Sequence, residues 1–165
     1  MVTAPSTSMS DDAAGPGPVP DDRLVQVLDD DECLALLGTA VIGRLAFTED
    51  AMPAIQPVSF TVLGGEVLIP TRPGSTVAVA SRGAIVAFEV DDVDVVERTG
   101  WNVTVIGPSR VVTAPEVIRS FDDQGIRPWV PTPEHCYIAV RITLVRGRRV
   151  RHRSAGVPDP SDSLA

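Results

Sequence analysis

Two adjacent glycines, Gly64 and Gly65, constrain this chain more than any other residues in it. They separate two runs, 54–63 and 66–71, that are rich in apolar and β-branched side chains. A two-residue loop of this composition closes a β-hairpin through a primed turn, whose positive φ glycine accepts without strain. The turn then sets the register: Leu63 is expected opposite Glu66, Val62 opposite Val67, Phe60 opposite Ile69 and Val58 opposite Thr71. That row is apolar until Thr71 and is expected to face a core. The other face sets Pro57, Ser59 and Thr61 against Leu68 and Pro70, a mixed surface of the kind that borders a partner or a ligand. Pro57 has no N–H for a ladder, so it belongs at an edge or a bulge, where nearby backbone groups are free to meet something else. Beyond the hairpin, Thr71-Arg72-Pro73-Gly74-Ser75-Thr76 turns into a short helix predicted over 76–81 with Ser75 as its cap. Hydroxyls, a guanidinium and helix N–H groups converge there, a donor set suited to a phosphate, although most turns of this type cap helices and bind nothing.

The rest of the chain supplies partners for that hairpin. Residues 1–22 hold little to bury and are expected to form a disordered leader, with structure beginning near Leu24. Asp29 and Glu32 form a capping-box pattern, with Leu28 placed to staple Cys33, and Gly38 ends the short helix they open. The run 39–48 reads as a strand with Val41, Gly43, Leu45 and Phe47 on one face and Ile42, Arg44 and Ala46 on the other. An arginine between apolar neighbours in mid-strand requires an anion, either a carboxylate or a ligand. The run 84–90 is apolar apart from Glu89 and reads as a strand buried on both faces. Asp91, Asp92, Asp94 and Glu97 lack the spacing of a calcium loop and read as a solvated acidic connection. The run 100–112 returns as a long strand, bent or bulged at Gly107-Pro108. Thr113 is expected to cap a helix with Pro115 and Glu116 in its first turn and Gly125 after its end. An irregular bridge at 127–131 leads to a last clean strand over 137–145, followed by the basic end Gly147-Arg148-Arg149-Val150-Arg151 and a tail expected to be disordered from His152. Six or seven mostly antiparallel strands with three short helices make this a mainly β chain of the α+β class. They fit one domain over 23–151, a closed or nearly closed β-barrel with helices at its ends.

Composition removes whole classes of chemistry. The chain has no lysine, which excludes Schiff-base and lysine-nucleophile mechanisms. The formal net charge of -8 disfavours nonspecific attraction to nucleic acid or an anionic membrane, and the arginines of 146–153 come without interleaved aromatics. Cys33 and Cys136 are too few for a disulfide framework or a four-ligand zinc site and are expected to be buried thiols. No run approaches a membrane span, and neither a basic start nor an apolar middle marks a secretory signal, so a cytoplasmic protein is expected. With His135 and His152 as the only histidines and no G-x-S-x-G, G-x-G-x-x-G or Walker pattern, any chemistry is expected to belong to a cofactor.

Six segments, in order, resemble the pyridoxamine 5'-phosphate oxidase-like family, whose fold is the FMN-binding split β-barrel. They are Leu36-Leu37 through Gly43-Arg44-Leu45-Ala46-Phe47, Pro57-Val58-Ser59-Phe60, Thr71-Arg72-Pro73-Gly74-Ser75, Ala87-Phe88-Glu89-Val90-Asp91, Thr99-Gly100-Trp101-Asn102-Val103 and Gly147-Arg148-Arg149. The resemblance covers 29–150. It implies a homodimer that holds FMN, or in some branches the deazaflavin F420, in grooves at the subunit interface, and a flavin-dependent oxidoreductase acting on a small planar substrate. It also implies that Arg44 and Leu45 lie beside the flavin and that Pro57, Val58 and Ser59 meet its ring edge. Thr71, Arg72, Ser75 and Thr76 would form the phosphate-side loop, and Trp101 would approach from the partner subunit. The chain departs from the family at Pro70 and Thr76, where basic residues are usual. Arg72 is expected to replace one of those charges. The alternative is a non-catalytic binding or structural dimer with weak or no flavin binding.

Overall fold

The computed structural model describes residues 23–152; the leader expected over 1–22 and the tail beyond His152 lie outside the described residues. The elements run β1 (Arg23–Leu28), α1 (Asp30–Leu37), β2 (Ile42–Glu49), β3 (Met52–Ser59), β4 (Thr61–Leu63), β5 (Glu66–Thr71), α2 (Thr76–Ala80), β6 (Ile85–Asp94), β7 (Thr99–Val112), α3 (Pro115–Asp123), β8 (Cys136–Arg141) and β9 (Leu144–His152). Every strand pairing is antiparallel. The hydrogen-bonded order β3-β2-β6-β7-β8-β5-β4 begins and ends on strands that are consecutive in the chain. The sheet is therefore closed by chain continuity between β3 and β4, which is how a barrel comes to be split on one side.

The glycine turn is as the sequence required. Gly64 and Gly65 have φ of 59° and 77°, and Leu63 faces Glu66, Val62 faces Val67 and Thr61 faces Leu68. The predicted register fails beyond Thr61. Phe60 is not paired with Ile69, nor Val58 with Thr71: at Phe60 the strand leaves β5 and continues as β3 against β2, with Val58 opposite Gly43. The side-chain faces survive the switch, because Phe60, Val67 and Ile69 are all buried in the barrel interior, where Phe60 meets the Phe88 ring edge-on at 4.7 Å between centroids.

Two other corners let strands pass from one half of the barrel to the other. β7 pairs with β9 up to Ile106 and with β8 from Ser109, and Gly107 sits between, so close to the neighbouring chain that a Cβ there would lie 1.8 Å from the Arg141 carbonyl oxygen. The strand predicted over 137–145 is two strands, β8 and β9, broken at Ile142 and Thr143, whose amides bond to the carbonyls of Gly65 and Ile106. β1, for which no strand was predicted, pairs along the whole of β9, and His152 is still paired, with Arg23.

The capping box of α1 is present, with the Glu32 amide donating to Asp29 Oδ1 at 2.8 Å and the Asp29 amide to Glu32 Oε2 at 3.2 Å. Leu28, Cys33 and Leu37 are buried with the barrel core. At α3 the cap is Ala114, not Thr113, and no side chain caps it; Pro115 at the first position needs no partner for an N–H it lacks. α3 covers a second, smaller core of Leu68, Val112, Ile126, Tyr137 and Ala139 outside the barrel, so Leu68 is not on an open face as the hairpin pattern implied. β6 is not buried on both faces either. Val86, Phe88 and Val90 point inward, whereas Ile85 is exposed, and the acidic residues Asp91, Asp92 and Asp94 belong to the strand itself. Val41 is exposed and precedes β2. Cys33 and Cys136 are both free and buried; burial pushes both thiols up, helped at Cys33 by Asp30, Asp29 and Glu32.

Candidate functional site

Among the described residues β3 is hydrogen-bonded to β2 alone, and Pro57 occupies its edge opposite Arg44. Across the split from that edge, β5 ends at Thr71 and turns through Pro73 and Gly74, whose φ is 72°. The Ser75 amide closes this turn on the Arg72 carbonyl at 3.2 Å, and Ser75 then caps α2. Between the two lies a groove of about 840 Å³. Pro57, Val58 and Ser59 form one wall; Pro70, Thr71, Arg72, Gly74, Ser75 and Thr76 form its floor; Pro128, Trp129, Val130 and Thr132 form the far wall.

The polar groups of the floor are grouped and partly free. Thr71 Oγ1 and Ser75 Oγ stand 3.0 Å apart, and Ser75 Oγ accepts from the Ala78 amide at 3.3 Å. Arg72 is exposed, and it is the only charged residue among the described residues lining the groove. Its guanidinium has no hydrogen bond or ion pair among the described residues. A cation with its fork unused beside two hydroxyls is the donor set a phosphate takes.

Seven of the ten residues assigned by resemblance therefore meet in one groove: Pro57, Val58, Ser59, Thr71, Arg72, Ser75 and Thr76. The other three do not line it. Leu45 is fully buried in the barrel core, so its side chain is closed to any ligand. Arg44 has its anion within the chain: Nη1 lies 2.6 Å from Asp91 Oδ1 and 3.1 Å from Glu89 Oε2, and these hydrogen bonds raise its pKa further. Trp101 lies on β7, opposite Asp92 and Arg149, half-buried against the barrel core.

The far wall was not found in the sequence. It rests on a polar knot, in which Asp122 Oδ1 meets His135 Nε2 at 2.9 Å and the Tyr137 hydroxyl at 2.8 Å, while that hydroxyl also meets the Ile126 carbonyl. Burial would push Asp122 up, but hydrogen bonds from Tyr137 and His135 and the charges of His135 and Arg127 outweigh it and hold the carboxyl below its usual range. The Tyr137 hydroxyl is pushed up by burial and by Asp122. Among the described residues, no group of three or more His, Cys, Asp or Glu is placed to hold a metal, and no helix is long and apolar enough to cross a membrane.

A split antiparallel barrel with a groove along its open edge defines a class of small β proteins. Within that class the chain belongs to the pyridoxamine 5'-phosphate oxidase family, whose sequence model matches residues 29–149. An uncharacterized protein of Mycobacterium tuberculosis, Rv0080, is 38% identical over 133 residues, 78% of this chain and 87% of that one. An FAD binding protein from Mycobacterium smegmatis superposes with a TM-score of 0.65 at 32% identity, over 76% of this chain and 100% of that one. A putative pyridoxamine 5'-phosphate oxidase from Corynebacterium glutamicum gives 0.63 at 26% identity, over 76% and 92%.

Proposed function

We propose that this chain binds a flavin nucleotide in the groove between β3 and the end of β5 and acts, as a homodimer, as a flavin-dependent oxidoreductase on a small planar substrate. The observation that carries the reading is the Arg72 guanidinium, unpaired among the described residues, beside the Thr71 and Ser75 hydroxyls in a groove whose only charged lining residue, among those described, it is. The flavin would supply the redox chemistry. Arg72 holds its phosphate, Pro57 and Val58 exclude water along one side, and Ser59 offers a hydroxyl near the free backbone edge. That a related protein at 32% identity is an FAD binder supports the same ligand class.

Trp101 fits this reading only from a second copy, whereas Arg44 borders the groove opposite Pro57 with its charge held by Asp91 and Glu89. Ile42, Pro57 and Ser59 line the groove and also share the outer face of the sheet, so a chain packed on that face closes the groove from above. The pairing of Pro70 and Thr76 with a single cation favours one other reading, a structural dimer with weak flavin binding. Fluorescence titration with FMN and riboflavin separates them. Arg72→Ala should weaken FMN binding about tenfold or more and leave riboflavin, which has no phosphate, unchanged. Wild-type protein that quenches neither flavin, with binding appearing only in Thr76→Lys, would establish the structural dimer instead.

A further inference from the structure

Trp129 is the part of the groove that the flavin reading leaves without a role. Its side chain is 66% exposed, it lines the groove between Pro128 and Val130, and it takes part in no ring contact among the described residues. The segment that carries it is nevertheless held at both ends. Ile126 is buried beneath α3, and His135 is tied to Asp122 one residue before Cys136 pairs with Thr71. An indole with an open face on a groove wall is a platform for another planar ring.

Its place in the fold says which ring. β5 has β8 on one side and β4 on the other, and β4 follows β3 directly in the chain. The end of β5, with Thr71 and Arg72, therefore lies between the β3 edge and the segment 128–132 that leads into β8. The phosphate-suited groups are in the middle of the groove, and Trp129 is on the side away from Pro57. A flavin mononucleotide with its ring at the β3 edge and its phosphate at Arg72 ends there. A dinucleotide continues through a second phosphate to adenosine, whose base is planar and matched to an indole face. Resting on the flavin reading above, we propose that Trp129 stacks on the adenine of a bound dinucleotide and selects FAD over FMN.

The test is calorimetric and fluorescence titration of the flavin-free full chain with FAD, FMN and ADP, in wild type, Trp129→Ala and Trp129→Phe. Trp129→Ala should lose roughly tenfold to a hundredfold in FAD affinity, since an aromatic platform contributes that much to holding a base. FMN affinity should move by less than about twofold, and Trp129→Phe should keep most of the FAD affinity. ADP should bind wild type and fail to bind Trp129→Ala. Equal losses for FAD and FMN, or no loss for FAD, overturn the assignment while leaving flavin binding intact. A wild-type chain that takes up neither flavin overturns the flavin reading, and this assignment with it.

Discussion

Tyr137 is fully buried, yet its hydroxyl needs a partner, and it has two acceptors in Asp122 and the Ile126 carbonyl. Through them one side chain of β8 fixes the end of α3 and the start of the groove's far wall. Tyr137→Phe keeps the ring and its edge-on contact with Phe121 at 5.1 Å, but leaves the Ile126 carbonyl short of a donor. We expect it to lower the unfolding free energy by about 1–3 kcal/mol in a denaturant titration. The acid limb should move as well. The Asp122 carboxyl is held below its ordinary value, so its contribution is complete above about pH 4 and is lost as pH falls through the lower folded value. Removing the Tyr137 donor takes away part of that depression. Acid unfolding followed by tryptophan fluorescence should then begin at higher pH in Tyr137→Phe than in wild type, and an unchanged acid midpoint would show that the knot does not stabilise the fold through this carboxylate.

Strands in this fold change partners at corners, and the corners decide what a sequence could reveal of them. The Gly64-Gly65 register was legible because a tight turn fixes it locally, within a few residues. The switch at Phe60 was not, because nothing in an alternating strand marks where its partner ends; that is set by where β2 lies in space. The same holds at Ile142 and Thr143, where apolar alternation runs on through a break. The groove divides in the same way. Its floor was legible as hydroxyls and an arginine in a helix-capping turn, whereas Trp129 sits in an irregular segment with no period, flagged only by the prolines around it. Gly107 was legible as a bend, but the reason for it is spatial: the backbone of β7 passes too close to Arg141 for a side chain. Gly107→Ala should therefore cost about 3 kcal/mol or more and lower the melting temperature, since the clash is with backbone that cannot turn aside. Near-native stability in that variant would show that β7 can shift at this corner.

At the scale of the molecule, the outer face of the sheet is unusual for a surface. Cross-strand register puts Ile55, Ala46, Ala87, Ile106 and Leu144 side by side on β3, β2, β6, β7 and β9, an apolar row about 19 Å wide at the ordinary strand spacing. Ile42, Ile85 and Val93 lie on the same face, each exposed, and Val25 and Val27 continue it onto β1. The adjacent row carries Arg44 and Glu89, paired with each other, while Arg146 and Arg148 add two exposed cations where the face reaches β9. A contiguous apolar patch of this kind marks an association surface, and a two-fold contact between copies would bury it against itself. Ile55 is the residue to test, being 69% exposed on an edge strand, where a charge does not disturb the barrel core. Wild type should sediment with twice the mass of one chain, and Ile55→Glu should shift the equilibrium toward single chains while keeping its circular dichroism spectrum. If that variant also loses affinity for FMN, the groove is completed across the interface. A monomeric wild type at micromolar concentration would instead leave the groove to a single chain and remove the partner's Trp101 from the site.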